Sequence, residues 1–484
     1  MRTYLEIGTS DFDTLNDKFA ERDHWRGMSV EAVPEYFDRL RRHGKNRYVN
    51  AVCSTESSEP AQFHYVPSDV IARHNLPFWL RGCGSISMEI QISLQAYRQY
   101  VKTLTLPRIL VRDLLADECF RDPITGRCRI DLLKTDTEGY DHTLVNGILD
   151  HARPTNVIFE TRFMSREQFL QLDARLAGHG YEYRGREGDS VQYSRKSVVL
   201  IADDRWSTGS IARDLRSLST VWDVDLLAWH RYPSDLDQLL SEYDAAAGFT
   251  LMTPLAWPPL RNFGVVCCGE VDVHGAMQRG GIFGRSIGAV SKDVYFELSK
   301  ASVPSRLLHT PATARAARFH RRAPRPVATL GWVGLPAAPG VSDVRRFSMF
   351  EEIAYRTGLS TLVSHGNYTY ATMQDFYDEI DLLVCTSSSE GVPLPVFEAI
   401  ACGVPVVSTE VGLVKECQSV PTFATVEQAV SIIQSLRTDP SKLEKCRSAQ
   451  HEEFESRWCM ERLLPLWERF FDACRGPAPS ALMF

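Results

Sequence analysis

The chain has 484 residues, of which 44% are hydrophobic and 24% charged, a composition typical of globular proteins. At about 150 residues per domain, this length favours about three domains over one compact core. With 54 basic and 61 acidic side chains the net charge is −7, which argues against nucleic acid as the main partner because phosphate binding needs a concentrated basic face.

The twelve cysteines are irregularly spaced, and no two are separated by the two residues that begin a zinc site. They indicate reduced thiols in a reducing compartment. The acidic residue Glu6 occurs near the N-terminus, before any apolar stretch long enough for a signal peptide, so no signal peptide is expected. No apolar stretch is long and unbroken enough to predict a transmembrane segment. The chain is therefore expected to be cytoplasmic.

Short apolar runs alternate with amphipathic stretches, which favours an α/β architecture built on parallel sheets. In the first block, residues 1–195, Pro34 fits the first turn of a helix predicted over 34–42. The polar stretch 184–189 predicts a closing hairpin. Strands are predicted over residues 4–7, 28–30, 48–52, 130–133 and 157–159.

Two composition changes divide the rest of the chain. A new strand predicted over 197–202 starts a second block, and the basic, proline-punctuated segment 321–326 predicts an exposed linker. The predicted domains are therefore 1–195, 196–322 and 323–475, followed by a flexible tail at 476–484. The amphipathic stretch 460–473 is expected to cross back against the second domain.

Residues that directly follow strands carry the most information, because ligands of open parallel sheets bind outside the carboxyl ends of the strands. Gly8 follows the first strand and would bring backbone amides close to a ligand. Glu31 ends the second strand, where a carboxylate can accept both hydrogens of a ribose diol. A dinucleotide or S-adenosylmethionine fits this arrangement. The dinucleotide fingerprint needs three glycines, so the single Gly8 disfavours a nicotinamide oxidoreductase and favours S-adenosylmethionine.

Lys134, Asp136 and Glu138 alternate at the end of the fourth predicted strand, which predicts that they share one side of an extended chain and face a cleft or one another. The segment resembles the K-x-D-x-E-G signature of FkbM-type methyltransferases. Residues 6–8, 30–34 and 49–52 follow in that family's order, so the resemblance covers residues 1 to about 165. It implies a class I methyltransferase fold that methylates a hydroxyl with S-adenosylmethionine.

The resemblance also assigns roles to residues. It implies that Asp136 faces the methionine end of the cofactor. In a displacement at the methyl group, Asp136 or Glu138 would then take the hydroxyl proton, with Lys134 tuning their acidity. Phe12 stands where the family has a glycine, so a module that has lost methyl transfer and only binds glycan is the alternative. The implied cofactor-binding residues, with the asparagine and alanine near the adenine, are Glu6, Gly8, Glu31, Asn50, Ala51 and Asp136.

Residues 381–407 predict a strand, a loop, a helix, a turn and a further strand. Pro395 suits the first helical turn, and Gly403 suits the left-handed position that ends a helix. Glu390 and Glu398, separated by seven residues, flank the loop. Backbone amides and a helix N-terminus between two acids favour a diphosphate. The residues that would offer these amides are Gly391, Val392 and Leu394.

This segment resembles the E-x7-E motif of family 4 retaining glycosyltransferases with the GT-B fold, followed by their EA-x-A-x-G-x-PV. The resemblance implies that Glu398 binds the nucleotide ribose, that Glu390 meets the donor sugar and that no metal is needed. Gly334 would form the glycine turn after the first strand of that domain. A cation must then balance the diphosphate, and the candidates are Arg345 and Arg346, which are alternatively a solvated pair at a helix start.

By the same resemblance, residues 196–322 are the acceptor-side domain of a GT-B pair. Gly209 would face the cleft from a loop, and His274 would lie near the sugar unless it is merely hydrogen-bonded structure. The sequence thus predicts a bifunctional glycan-modifying enzyme. It would transfer a sugar from a nucleotide sugar with retention and O-methylate a glycan or glycosylated small molecule. A non-catalytic scaffold is a further alternative, against which Glu390 and Glu398 argue.

Overall fold

The computed structural model describes residues 2–12, 14–22, 25–87, 95–123, 126–203, 207–228, 240, 243–249, 263–278, 285–309, 319–335, 343–369 and 371–475. Contacts divide the chain into two units, Met1–Lys196 and Ser197–Pro479. Within the described ranges, no helix combines the length and the apolar character that a bilayer span requires. All twelve cysteines fall in these ranges and are free thiols. The predicted tail at 476–484 lies outside the described residues.

The first unit is built on a Rossmann-like sheet. Its strands are β1 Arg2–Ile7, β2 Trp25–Glu31, β3 Arg47–Asn50, β4 Val52–Ser54, β5 Ala61–Tyr65, β6 Lys102–Leu106, β7 Arg108–Leu110, β8 Leu132–Thr135, β9 Asn156–Glu160, β10 Tyr181–Glu187 and the part of β11 Ser190–Ala202 that ends at Lys196. The strands β3, β2, β1, β8 and β9 pair in parallel in that order. The strand β11 then pairs antiparallel with both β9 and β10. Two small sheets, β4 with β7 and β5 with β6, complete the unit.

Helices cover this sheet with apolar side chains. The longest is capped by Ser165 and Gln168, whose side chains bond each other's backbone N–H groups. Leu144 and Ile148 of the preceding helix are fully buried against Leu133 of the sheet. The α-helices are Leu15–Lys18, Pro34–Phe37, Ser68–Arg73, Val111–Leu115, Asp141–His151 and Arg166–Gly178, and the 3-10 helices are Phe78–Arg81, Arg98–Tyr100 and Glu118–Phe120.

The predicted hairpin is confirmed by β10 and β11, and two other predictions need correction. The helix predicted over 34–42 ends at Phe37, because the carbonyl of Phe37 accepts from the N–H of Leu40 and from Arg42 Nη2 instead of continuing the helical pattern. The strand predicted over 48–52 breaks at Ala51, because β3 pairs with β2 whereas β4 pairs with β7.

The second unit contains two parallel sheets. Its further strands are β12 Trp222–Ala228, β13 Ala245–Phe249, β14 Phe263–Cys267, β15 Ser286–Ala289, β16 Arg306–Leu307, β17 Thr329–Val333, β18 Ser360–Ser364, β19 Leu382–Cys385, β20 Val406–Thr409 and β21 Thr422–Phe423. In one sheet, Val198–Ile201 of β11 pair with β13, followed by β14, β15 and β16. The other has the order β18-β17-β19-β20-β21. These parallel sheets confirm the predicted α/β class.

The last helix of the second unit packs on the first of these two sheets, as predicted. The ring of Trp467 lies 6.4 Å from that of Phe249, and the ring of Phe471 lies 5.7 Å from that of Trp222. The α-helices of the unit are Ser207–Leu218, Glu270–Gln278, Lys292–Lys300, Phe347–Thr357, Met373–Glu379, Leu394–Ala401, Val426–Thr438, Pro440–Glu453 and Met460–Cys474, with 3-10 helix Gly412–Glu416 and π-helix Phe454–Trp458.

Candidate active sites

A cleft opens in the first unit where β1, β2 and β8 end. Gly8 leaves β1 with φ +82°, and its N–H donates to the carbonyl of Val30 at 3.0 Å. A Cβ at Gly8 would lie 1.8 Å from the carbonyl oxygen of Asp136. The ends of β1 and β8 therefore approach so closely that the position requires glycine.

Glu31 brings a buried carboxylate to this cleft. It is the last residue of β2 and is 5% exposed. Its oxygens accept from the N–H groups of Ser10 and Val33, each at 2.7 Å. Burial nevertheless raises the pKa of Glu31 to about 7. The group is thus held in one orientation and changes charge near neutral pH.

Four of the predicted cofactor residues line the cleft, namely Gly8, Glu31, Ala51 and Asp136. The sequence-based prediction relied on residues at strand ends. It missed other residues that line the cleft because these lie elsewhere in the chain. The cleft is narrow, with an interior of about 60 Å³. The missed lining residues include Tyr36, Phe63, Arg81 and Tyr140.

Glu6 and Asn50 lie beside the cleft but do not line it. Glu6 is 1% exposed, and it accepts from Lys134 Nζ at 3.0 Å and from the N–H of Leu15. Burial raises the pKa of Glu6, and Lys134 opposes that rise. Asn50 Nδ2 donates to the carbonyls of Glu31, at 2.8 Å, and Ala32, at 3.0 Å. Both side chains therefore fix the backbone around the cleft.

Asp136 follows β8 directly, and burial, with Asp141 as the next cause, raises its pKa to about 6. Glu138 has φ +54°, so the extended conformation predicted as far as Glu138 is wrong. The turn brings Glu138 close to Asp136 and to Glu160, a residue that the sequence reasoning did not single out. Oxygens of the three carboxylates lie within 4.8 Å of one another. Glu160 could have been identified from the sequence, because it directly follows the predicted strand 157–159.

Phe12, which replaces the expected glycine, lies outside the lining of the cleft. Its ring centroid is 5.2 Å from that of Phe78, and the guanidinium of Arg81 lies 5.9 Å from its ring. Arg81 itself lines the cleft and forms an ion pair with Asp11. Phe12 therefore packs against the segment that forms one wall.

A second cavity, of about 500 Å³, lies at the carboxyl ends of β17, β18 and β19. Side chains fix the loop beneath it. Thr386 Oγ1 accepts from Trp332 Nε1 at 3.0 Å and donates to the carbonyl of Arg345 at 2.7 Å. Thr409 Oγ1 donates to the carbonyl of Ser387 at 2.6 Å. The loop before the helix Leu394–Ala401 is thus held to the sheet.

The two predicted acids both line this cavity. Glu390 forms an ion pair with Arg345 and accepts from Ser387 Oγ at 2.9 Å. Glu398, which is buried in the helix Leu394–Ala401, accepts from Tyr377 Oη at 2.8 Å. Partners on neighbouring segments therefore orient both carboxylates.

Most of the other predicted donor-site residues line the same cavity: Gly334, Arg345, Val392 and Leu394. Two do not. Arg346 instead donates to the carbonyl of Ser387 at 2.9 Å. A Cβ at Gly391 would lie 1.6 Å from the carbonyl oxygen of Cys268, so Gly391 permits close packing. The missed lining residues include Ser210, Ser364, His365 and Tyr368, which follow no motif.

On the predicted acceptor side, neither candidate lines the cavity. Gly209 lies within the helix Ser207–Leu218 rather than in a loop, and its neighbour Ser210 reaches the cavity instead. The side chain of His274 is 62% exposed, and its Nε2 lies 2.9 Å from Glu297. This pairing agrees with the alternative that His274 is hydrogen-bonded structure.

Comparison with known families confirms both resemblances. Residues 6–183 match the family model described as methyltransferase FkbM domain. Residues 318–435 match the one described as glycosyl transferases group 1. No curated protein matches the chain. The first match contains the cleft around Gly8 and Glu31, and the second contains Glu390 and Glu398.

Solved structures similar to this chain include sucrose-phosphate synthase from Thermosynechococcus elongatus, with 12% identity and a TM-score of 0.42, covering 58% of this chain and 100% of that one. A glycosyltransferase from Rickettsia africae ESF-5 has 11% identity and a TM-score of 0.39, covering 58% and 98%. WaaG, a glycosyltransferase involved in lipopolysaccharide biosynthesis, has 12% identity and a TM-score of 0.37, covering 57% and 98%. Similarity at this level assigns neither donor nor acceptor.

Proposed function

We propose that this chain, which carries an FkbM methyltransferase domain and a group 1 glycosyl transferase domain, is a two-enzyme fusion that glycosylates and methylates a sugar-containing acceptor. Its second unit transfers a sugar from a nucleotide-sugar donor with retention. Its first unit methylates a hydroxyl of a glycan or glycosylated small molecule with S-adenosylmethionine.

The observation that carries the glycosyl-transfer proposal is the cavity between Glu390 and Glu398. A cavity of about 500 Å³ at the carboxyl ends of parallel strands has the size and the place of a nucleotide site. Glu398 would bind the ribose hydroxyls. Arg345, now paired with Glu390, supplies positive charge for the departing diphosphate. The acceptor hydroxyl would then attack on the face that the diphosphate leaves, which retains the configuration.

Two strand ends support methyl transfer. Glu31 offers a buried carboxylate to the ribose diol of S-adenosylmethionine, and Asp136 lines the same cleft. In the reaction, the bond from sulfur to the methyl carbon breaks and its electron pair stays on sulfur. The hydroxyl oxygen forms the new bond to carbon and gives its proton to a carboxylate such as Asp136. The pKa of Asp136, which burial raises to about 6, suits a base that works near neutral pH.

The narrow interior of the first cleft favours one alternative, a glycosyltransferase whose first unit binds glycan without methylating it. Calorimetric titration of the full chain with S-adenosylmethionine separates the two. At pH 8, above the pKa of about 7 given for Glu31, methyl transfer requires binding that Glu31→Gln weakens by about tenfold or more, since a hydrogen bond to a charged group is lost. The exposed Glu187→Gln is the control. No binding at about 1 mM ligand would favour the alternative.

The glycosyl-transfer proposal is tested by incubating the chain with a panel of nucleotide sugars and identifying the products by mass spectrometry. For the donor found, Glu398→Gln should lower kcat/KM by about tenfold or more. Glu352→Gln, which changes an exposed acid on the helix Phe347–Thr357, should have no effect. Unchanged transfer by both Glu390→Gln and Glu398→Gln would remove the assigned donor site.

A further inference from the structure

Three carboxylates meet where β8 and β9 end. These strands pair in parallel with Thr135 opposite Phe159, so the next residues, Asp136 and Glu160, emerge side by side. Glu138 turns back to them from the same loop as Asp136. One oxygen of each carboxylate lies within 4.8 Å of the other two. Adjacent strand ends thus concentrate negative charge at one point of the first unit.

Glu160 provides a second observation. It is 8% exposed, and its Oε2 has no hydrogen-bond partner among the described residues. A buried carboxylate oxygen without a partner is costly unless a cation or a proton occupies the site.

We propose that Asp136, Glu138 and Glu160 bind a divalent cation of the Mg²⁺ or Mn²⁺ type. Such hard cations take oxygen ligands at about 2.0–2.2 Å, which places ligand oxygens about 3–4 Å from one another. Oxygens within 4.8 Å need only a small side-chain adjustment to meet this spacing. The sequence predicted no metal for the whole chain, and this proposal departs from that expectation, whose basis, the glycosyltransferase motif, lies in the other unit.

Neighbouring groups hold the loop that carries two of these ligands. Asp141 accepts from the N–H and the Oγ1 of Thr137, at 3.1 Å and 3.0 Å. Ser85 Oγ donates to the carbonyl of Glu138 at 3.1 Å. The positions of the carboxylates therefore do not depend on an exposed, unsupported loop, as a preorganised ligand set requires.

The place of this cluster gives the cation a role that rests on the proposed methyl transfer. Asp136 both belongs to the cluster and lines the cleft. A cation there has open coordination positions for the acceptor oxygen. Coordination would hold that oxygen towards the methyl carbon and ease transfer of its proton to the second oxygen of Asp136, the one that does not bind the cation. A vicinal diol of a sugar, which can offer two oxygens, is the acceptor class that such a site favours.

The binding site itself is tested without either substrate. The full chain, freed of metal with chelator, is titrated with Mn²⁺ alone, and the free ion is followed by electron paramagnetic resonance. Mutation of residues that only hydrogen-bond to metal ligands already lowers metal affinity about 10–100-fold. Glu160→Gln and Asp136→Asn, which change ligands themselves, should therefore each weaken Mn²⁺ binding at least about tenfold. Glu187→Gln, which removes an exposed acid from the same unit, should bind Mn²⁺ like the unchanged chain.

Two results would overturn the proposal: no Mn²⁺ bound at about 1 mM, the weak limit of protein oxygen sites, or unchanged affinity in both variants. If circular dichroism shows that Glu160→Gln does not fold, Asp136→Asn decides, because Asp136 is only partly buried. If the chain binds Mn²⁺ but not S-adenosylmethionine, the proposed cation site is supported and the proposed methyl transfer is contradicted. If the chain binds S-adenosylmethionine but not Mn²⁺, the proposed methyl transfer is supported and the proposed cation site is contradicted.

Discussion

Gly8 shows how one residue sets the spacing of two strand ends. Its φ of +82° is strained for other residues, and a Cβ would collide with the carbonyl oxygen of Asp136. The close approach places a backbone turn beside the carboxylates of Glu31 and Asp136. A side chain at position 8 would therefore disturb both packing and the cleft.

Gly8→Ala should destabilise the first unit by about 2–4 kcal/mol, from left-handed backbone strain together with overpacking. Thermal unfolding followed by circular dichroism measures the effect. Gly44→Ala is the matched control, because nothing lies within 4 Å of a Cβ at Gly44. Equal unfolding temperatures for the two variants would contradict the steric role of Gly8.

Glu31 gives the first unit a pH dependence. Its pKa is raised from 4.5 to about 7, so the folded state holds this proton more tightly than the unfolded chain. The stability contributed by the neutral carboxyl is therefore present below pH 4.5 and lost as the pH rises through about 7. Glu31→Gln does not ionise and escapes this loss.

Relative to the unchanged chain, Glu31→Gln should gain about 2–3 kcal/mol in free energy of unfolding between pH 5 and pH 8. Urea denaturation at both pH values measures the change. A constant offset, which the lost hydrogen bond to Ser10 or Val33 can cause, does not affect this comparison. A difference that stays the same at both pH values would mean that Glu31 titrates normally.

At the scale of elements, the helix Leu394–Ala401 places Glu398, and a second helix orients it. Tyr377, in the helix Met373–Glu379, donates its hydroxyl to Glu398 at 2.8 Å. The hydroxyl thus acts through the carboxylate and positions it. Two helices on one sheet therefore define the geometry of Glu398, the residue predicted to bind the ribose.

Tyr377→Phe should raise the KM for the nucleotide-sugar donor about 3–10-fold, the effect of one lost hydrogen bond, while kcat changes little. Steady-state kinetics with the donor identified from the panel measures both. Tyr355→Phe, at an 84% exposed tyrosine, is the control. An unchanged KM would show that Tyr377 does not position Glu398 for the donor.

At the scale of the whole molecule, each proposed reaction uses residues of one unit. The methylation residues lie within Met1–Lys196, and Glu390 and Glu398 lie within Ser197–Pro479. Two activities that share no catalytic group should be separable by substitution. In the proposed function, the fusion would couple two reactions on one acceptor without requiring a shared site.

Asp136→Asn should reduce methyl transfer by about 100-fold or more, the usual contribution of a general base, and leave sugar transfer intact. Glu398→Gln should do the opposite when a preformed acceptor is supplied for methylation. Mass spectrometry of both products tests the separation. Loss of both activities in either folded variant would contradict it.

The sequence by itself predicted several of the strand ends and loops that line the two cavities. Strands, glycine turns and the helix after Glu390 follow from local patterns of apolar residues, glycine and proline, because these act on the backbone of their own segment. Gly8, Glu31 and Asp136, which lie at or directly after strand ends, line the cleft of the first unit, and Glu398, on the helix after the loop, lines the cavity of the second.

The tertiary structure decided where individual side chains point. Glu6 turns to Lys134 and Leu15, His274 pairs with Glu297, and Glu160 joins Asp136. Each of these contacts links segments distant in sequence. Their geometry depends on which strands are neighbours and in which register, and local pattern does not encode that choice.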